Sequence, residues 1–220
     1  MCKKGGFVLI KRFQIIVLKH IQGNVFIYFI VCMFFIIGIS SGAFTVKALA
    51  DNQKQELINY MRSFFQVLSN KSIDASSILK QSLINNLQTA ALIWILGITV
   101  IGAPLILLLI AIRGLIIGFT VGFLVEQLGF KGILFSFISI FPQNLFIIPS
   151  IIVIGVIGIG FSKMIIRNRK NRTYSSNDNT FRQFILYSTI NSFISLFIIF
   201  GCMIEAYITP VFMKALSKYM

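Results

Sequence analysis

The sequence predicts an all-α integral membrane protein with about five transmembrane helices, a re-entrant half-helix and an amphipathic helical external loop. Of its 220 residues, 57% are hydrophobic and 23 are Phe, and the mean hydropathy is +0.89. Several apolar runs reach the length of about 20 residues that a helix needs to cross a bilayer. The 20 Lys and Arg residues, which give a net charge of +14, lie mainly outside these runs. We therefore interpret the whole chain as a single multi-pass membrane domain.

The basic N-terminus and the first apolar run indicate how the chain enters the membrane. Residues 1–22 combine Lys and Arg with short apolar clusters, which predicts a basic helix on the cytoplasmic face of the membrane. The first span follows at about 25–46. A cleaved signal peptide is the rival interpretation, because Ala48-Leu49-Ala50 resembles a cleavage site. The apolar stretch is longer than such peptides carry, so an uncleaved anchor is favoured.

The polar segment 47–86 predicts an external loop with two amphipathic helices. Its apolar residues recur at intervals of three and four. On the first helix this apolar face consists of Leu57, Met61, Phe64, Phe65 and Leu68. Two interpretations stay open: the face is a partner surface, or it lies on the lipid headgroups.

Four further spans are predicted at about 87–111, 114–128, 145–161 and 184–208. The first of these four is interrupted by Gly97, Gly102 and Pro104, which we assign to helix packing, and Arg113 closes it. A basic loop, 163–182, precedes the last span. Because Lys and Arg are enriched in cytoplasmic segments, we expect both basic segments and the N-terminus inside, and loop 47–86 and the C-terminus outside. Membrane lipid, rather than nucleic acid, is the expected contact of this charge.

The apolar run 132–161 is too long for one transmembrane helix. As a single helix its thirty residues would measure about 45 Å, whereas the hydrocarbon core is about 30 Å thick. Pro142 lacks a backbone donor and disfavours helical geometry at Phe141, so residues 132–141 are predicted as a re-entrant half-helix that ends there. Gln143 and Asn144 are expected to bond the backbone groups freed at the break. The alternative is a substrate site like those at the broken helices of transporters.

The sequence predicts no catalytic, cofactor or metal site. Three cysteines show no CxxC spacing, and the chain has one His. Only Glu126 and Glu205, of six acidic residues, belong to apolar runs, and a carboxylate near a helix end is more often solvated or hydrogen-bonded than catalytic. Motifs of metalloproteases, serine hydrolases and ATPases are absent. We therefore do not expect an enzyme.

Glycine spacing predicts close packing of helices. Gly114, Gly118 and Gly122 share one helix face, and Gly38 and Gly42 repeat the spacing. Such faces let two backbones approach, more often within one chain than between chains, so a homo-oligomer is left open.

Several short motifs follow one another from the first span to the C-terminus. They are GITVIGAP at 97–104, Arg113-Gly114, GFTVGFL at 118–124, Gly129, Lys131-Gly132, FPQN at 141–144, Ile148-Pro149, Glu205-Ala206-Tyr207 and Thr209-Pro210. As an ordered set they resemble the stage II sporulation protein M family.

This resemblance implies a multi-pass membrane protein of endospore-forming bacteria that acts in engulfment, when the mother cell membrane migrates around the forespore. It implies a scaffold that recruits stage II sporulation proteins D and P, which degrade peptidoglycan, to the septum. It implies no catalytic residues. A transporter or channel-like permease, using the broken helix at 141–145, is the alternative function.

Overall fold

The computed structural model describes residues 23–70, 75–170 and 177–211, which form six α-helices and no strand. The helices are α1 (Val25–Ala48), α2 (Asp51–Asn70), α3 (Ala75–Ile98), α4 (Gly102–Leu128), α5 (Phe130–Lys170) and α6 (Asn177–Tyr207). Four segments of the described chain are long and apolar enough to cross a membrane: Val25–Ala48, Gly102–Leu128, Phe130–Arg167 and Phe181–Val211. The predicted all-α membrane class is confirmed.

Helix α3 joins the bundle although it is less apolar than these four. Its first half has Ser, Lys, Gln and Asn residues between apolar ones, and it is not among the four candidate spans. It nevertheless packs against α4, α5 and α6, while α1 packs chiefly against α4. The core lies among these helices and contains Ile93, Ile106, Ile110, Ile154 and Ile198, all buried.

The chain turns earlier than predicted between α3 and α4. The predicted span 87–111 is wrong, because α3 ends at Ile98 and α4 begins at Gly102. Gly102 and Pro104 occupy the first turn of α4, where a proline costs no hydrogen bond. A Cβ on Gly102 would overlap the Leu96 carbonyl oxygen, so the turn needs glycine. Arg113, predicted to close a span, consequently lies in the middle of α4.

Helix α5 runs through the PQN triplet without interruption, so the predicted half-helix ending at Phe141 is wrong. Its 41 residues include Pro142 and Pro149 and measure about 62 Å as a straight helix. A proline inside a membrane helix is tolerated where side chains and neighbouring helices satisfy the freed groups. Here the two amides after Pro142 bond within α5 and to the segment after α6.

Helix α2 corresponds to the first amphipathic helix predicted outside the membrane. Leu57 and Met61 on its apolar face are half-buried, and the side chains of Phe64, Phe65 and Leu68 lie outside the described part. The second predicted amphipathic helix is the first half of α3. The predicted basic helix 1–22 also lies outside the described residues, as does 171–176 of the basic loop.

The glycine faces of α1 and α4 pack against each other. A Cβ on Gly38 would overlap the Ala111 carbonyl oxygen, and one on Gly118 would overlap that of Ile39. Gly42 and Gly114 meet backbone in the same way, and a Cβ on Gly122 would lie 3.1 Å from the Ala43 Cα. Contacts advance along both helices together, so α1 and α4 run parallel. Glycine therefore brings these two backbones to a distance that side chains forbid.

We expect Gly118→Ala to lower the free energy of unfolding by about 1–3 kcal/mol, because the added methyl group would overlap backbone that cannot move aside. Unfolding in detergent measures the change. Gly160→Ala is the matched control, since a Cβ there has no atom within 4 Å and a helical alanine replaces a glycine. The control should be neutral or stabilising by up to about 1 kcal/mol. Equal stability of the two variants would contradict the tight interface.

Candidate functional site

A polar cluster inside the bundle links α3, α4 and α6. Ser82 and Asn86 stand one turn apart on α3 and are buried. Arg113 enters from the middle of α4, and Glu205 from the last turns of α6, both half-buried. Charged side chains within membrane helices are rare and usually face the bundle interior or a cavity. This cluster is therefore the first candidate for a functional site.

Arg113 binds one stretch of α3 through both of its terminal nitrogens. Nη1 donates to Asn86 Oδ1 at 3.1 Å, and Nη2 donates to the Asn85 carbonyl oxygen at 2.7 Å. Nη2 also donates to the Thr89 hydroxyl. Hydrogen bonds from a charged donor are the stronger ones, and the planar guanidinium fixes their direction. Arg113 thus sets the register of α4 against α3.

Glu205 completes the cluster from α6. The Ser82 hydroxyl donates to Glu205 Oε2. Asn86 Nδ2 donates to the Ser82 carbonyl oxygen at 3.0 Å and lies 3.6 Å from Cys202 Sγ. Asn86 and Ser82 therefore connect the guanidinium to the carboxylate, whose opposite charges attract across the bundle.

The hydrogen bonds of this cluster join α3 to α4 and to α6. Each polar atom described above bonds to another member of the bundle, and no three His, Cys, Asp or Glu side chains of the described residues gather as a metal site requires. The sequence predicted neither the contacts of Arg113 nor those of Glu205. The available signal was an arginine inside an apolar run together with the paired amides Asn85 and Asn86.

The PQN triplet ties α5 to the segment after α6. Gln143 Oε1 accepts a hydrogen bond of 2.8 Å from the hydroxyl of Thr209, which is buried. Asn144 Nδ2 donates to the Ile140 carbonyl oxygen of its own helix at 2.8 Å. Asn144 therefore bonds backbone as expected, whereas Gln143 bonds a side chain on another segment.

Lys54 and Glu126 form an ion pair that attaches α2 to the end of α4. Lys54 Nζ lies 3.0 Å from Glu126 Oε1, and both side chains keep partial contact with solvent. Glu126 lines a groove with Lys47 and apolar residues of α1 and α4. Asn144 instead borders a cavity of about 20 Å³ that isoleucines dominate. Asn144 and Glu126 thus line different spaces.

At the opposite end of α3, three hydrogen bonds join this helix and the turn after it to α5 and α6. The Tyr187 hydroxyl donates to the Trp94 carbonyl oxygen at 3.0 Å, and Trp94 Nε1 donates to Ser188 Oγ at 3.3 Å. The Ser162 hydroxyl donates to the Thr99 carbonyl oxygen at 2.8 Å. A Cβ on Gly97 would overlap the Tyr187 hydroxyl, so Gly97 packs where the sequence assigned it a packing role.

Comparison with known proteins matches residues 31–210 to the family model described as Stage II sporulation protein M. No curated protein and no solved structure matches the chain. The matched segment contains both glycine faces, the polar cluster and the PQN triplet.

We expect Arg113→Gln to lower the free energy of unfolding by about 1–3 kcal/mol, because it leaves the Glu205 carboxylate without its opposite charge. Adding Glu205→Gln should restore part of this loss, since the second substitution removes the uncompensated charge and keeps an acceptor for Ser82. Unfolding in detergent measures both variants. Lys54→Gln breaks the more exposed pair and should cost less than about 1 kcal/mol. A double variant less stable than Arg113→Gln alone would contradict the charge linkage.

Gln143→Leu and Thr209→Val should each destabilise the bundle, and the double variant should be little worse than either one. Each substitution removes the same hydrogen bond, so their coupling is expected at about 0.5–1.5 kcal/mol. The measurement is a double-mutant cycle of unfolding midpoints. Strictly additive effects would show that this bond does not hold α5 to the segment after α6.

Proposed function

Because this chain belongs to the stage II sporulation protein M family, we propose that it is a non-enzymatic membrane scaffold that recruits peptidoglycan-degrading enzymes for forespore engulfment. The match identifies a sporulation-related membrane protein, and four long apolar segments suit the membrane. The family is not a known enzyme family. The recruited enzymes are stage II sporulation proteins D and P, and the place is the septum and the engulfing mother cell membrane.

The observation that carries the scaffold role is the position of α2. In its described part, α2 has no extensive packing contact with another helix, and the side chains of Phe64, Phe65 and Leu68 lie outside that part. Its polar residues Gln53, Gln55 and Asn59 are exposed, while Leu57 and Met61 on the apolar face are half-buried. A helix that is amphipathic yet poorly packed against its own bundle has an apolar face available for another molecule.

The charge pattern supports an outside position for α2. The basic segments before α1 and after α5 favour the cytoplasm, so the end of α1 and α2 lie on the opposite side. That is the side where peptidoglycan is found. Two contacts fix where α2 begins above the bundle. They are the tight interface between α1 and α4 and the ion pair between Lys54 and Glu126.

The transporter alternative gains no specific support. It requires a polar cavity at the PQN triplet, but Gln143 and Asn144 use their side chains in bonds to Thr209 and to helix backbone. The cavity beside Asn144 holds about 20 Å³, which is room for about one water molecule and not for a larger solute.

We expect Leu57→Asp with Met61→Asp to remove most of the septal signal of fluorescently tagged stage II sporulation proteins D and P. The two carboxylates would oppose burial of the apolar face of α2 against a partner. Fluorescence microscopy of sporulating cells measures the signal, and immunoblotting of membranes checks the level of the scaffold.

Gln55→Asp with Asn59→Asp is the matched control, because it adds the same charge at the same four-residue spacing on the exposed face. Recruitment should remain normal there. Normal recruitment by the Leu57 and Met61 variant would refute a partner surface on α2 and favour the headgroup interpretation. Equal loss in both variants would show that added charge, rather than the apolar face, matters.

A further inference from the structure

A groove of about 350 Å³ opens on the side of the bundle between α3 and α6. Ala91 and Trp94 line it from α3, and Ser188, Asn191, Ser192 and Ser195 line it from α6. It lies within the candidate span Phe181–Val211, so its opening faces the membrane interior. Neither the polar cluster nor the PQN triplet borders this groove.

The α6 side of the groove is polar, which is unusual for a surface inside a membrane. Its four polar residues recur at intervals of three and four and therefore share one helix face. Around the same helix, Phe193, Leu196, Phe197 and Phe200 are exposed, as expected of residues that meet lipid. A lipid acyl chain has no group that can form a hydrogen bond with this polar face. A polypeptide can provide a polar side chain that does.

Asn191 indicates what kind of group the groove accepts. The residue is 5% exposed, and its Nδ2 donates to the Tyr187 carbonyl oxygen at 2.8 Å. Its Oδ1 is buried and has no hydrogen-bond partner in the described structure. An amide oxygen in apolar surroundings without a donor is unfavourable, so an occupant that supplies a donor would be stabilised.

The small residues of the groove fit a helix better than they fit a bulky ligand. Ala90, Ala91, Ser192 and Ser195 have short side chains that let a neighbouring backbone approach closely. A second copy of this chain fits less well, because two concave surfaces would have to meet. We propose that the groove docks a membrane-spanning helix of another protein that presents a hydroxyl or amide donor to Asn191.

Trp94 makes this docking measurable, because it is the only tryptophan of the chain and it lines the groove. The full chain is placed in vesicles of brominated phosphatidylcholine, which quenches tryptophan on contact. The probe is a designed tryptophan-free helix of Leu and Ala with one central Asn, and its control carries Leu at that position. We expect the Asn helix to relieve the quenching and to bind about fivefold more tightly than the Leu helix.

Two pairs of variants make the test specific. Asn191→Leu should abolish the difference between the two helices. Ala91→Phe fills the groove from an exposed position and should abolish docking, whereas Leu92→Phe changes the next exposed residue, which does not line the groove, and should leave docking intact. Because Ala91→Phe adds a side chain at the surface, it provides a readout even if Asn191→Leu fails to fold.

Three results would overturn the proposal. Quenching that neither helix relieves identifies lipid as the occupant. Equal relief by the Asn and Leu helices removes the role of the donor. Relief that grows with the protein-to-lipid ratio, without any added helix, identifies a second copy of this chain. None of these results depends on hydrolase recruitment, which the α2 variants test separately.

Discussion

A polar group carried into lipid finds no partner there, so it has to be paired inside the protein. In this bundle that constraint governs how α3, α4 and α6 meet. Arg113 is satisfied by the carbonyl of Asn85 and the side chains of Asn86 and Thr89, and Ser82 extends the network to Glu205. Each of these bonds forms only when its donor and acceptor lie at the same height along neighbouring helices. Sliding one helix along another would therefore break several bonds at once. The polar cluster therefore defines register, which apolar packing alone specifies only weakly.

Helix α1 is held by a different force. Glycines at 38, 42, 114 and 118 bring its backbone against that of α4, and close van der Waals contact replaces side-chain bonding. Arg113 fixes α4 against α3, and α1 packs on α4. The position of α1 therefore depends on the polar cluster. The same chain of contacts reaches α2, because Glu126 near the end of α4 pairs with Lys54. The register of the core thus determines where α2 begins.

The features that sequence predicted well are those encoded by local spacing. The faces of Gly38 and Gly114 repeat every fourth residue, and a helical period suffices to see them. The contacts of Arg113 could not be predicted from local spacing, because its partners are distant in the sequence. They lie near position 86 and, through Ser82, at Glu205. Pro142 shows the opposite failure: a sound local rule predicted a break, but a side-chain bond from Asn144 and the tie from Gln143 to Thr209 support a continuous helix. Pro104 was predicted to interrupt the span 87–111, whereas it lies in the first turn of a new helix, because the chain turns between Ile98 and Gly102.

The proposed α2 surface and the groove beside Trp94 face different surroundings, one outside the membrane and one within it. A partner that has both a membrane-spanning helix and an external enzyme domain would meet the two together. Once its helix is docked, the second contact becomes intramolecular, and its effective concentration rises to about the millimolar range for a short flexible linker. Two weak contacts then suffice for stable recruitment, provided that the linker spans the distance between them. The polar cluster and the glycine interface keep the bundle in one register, and the Lys54 to Glu126 pair joins the start of α2 to it, so the distance that the linker has to span is defined at the start of α2.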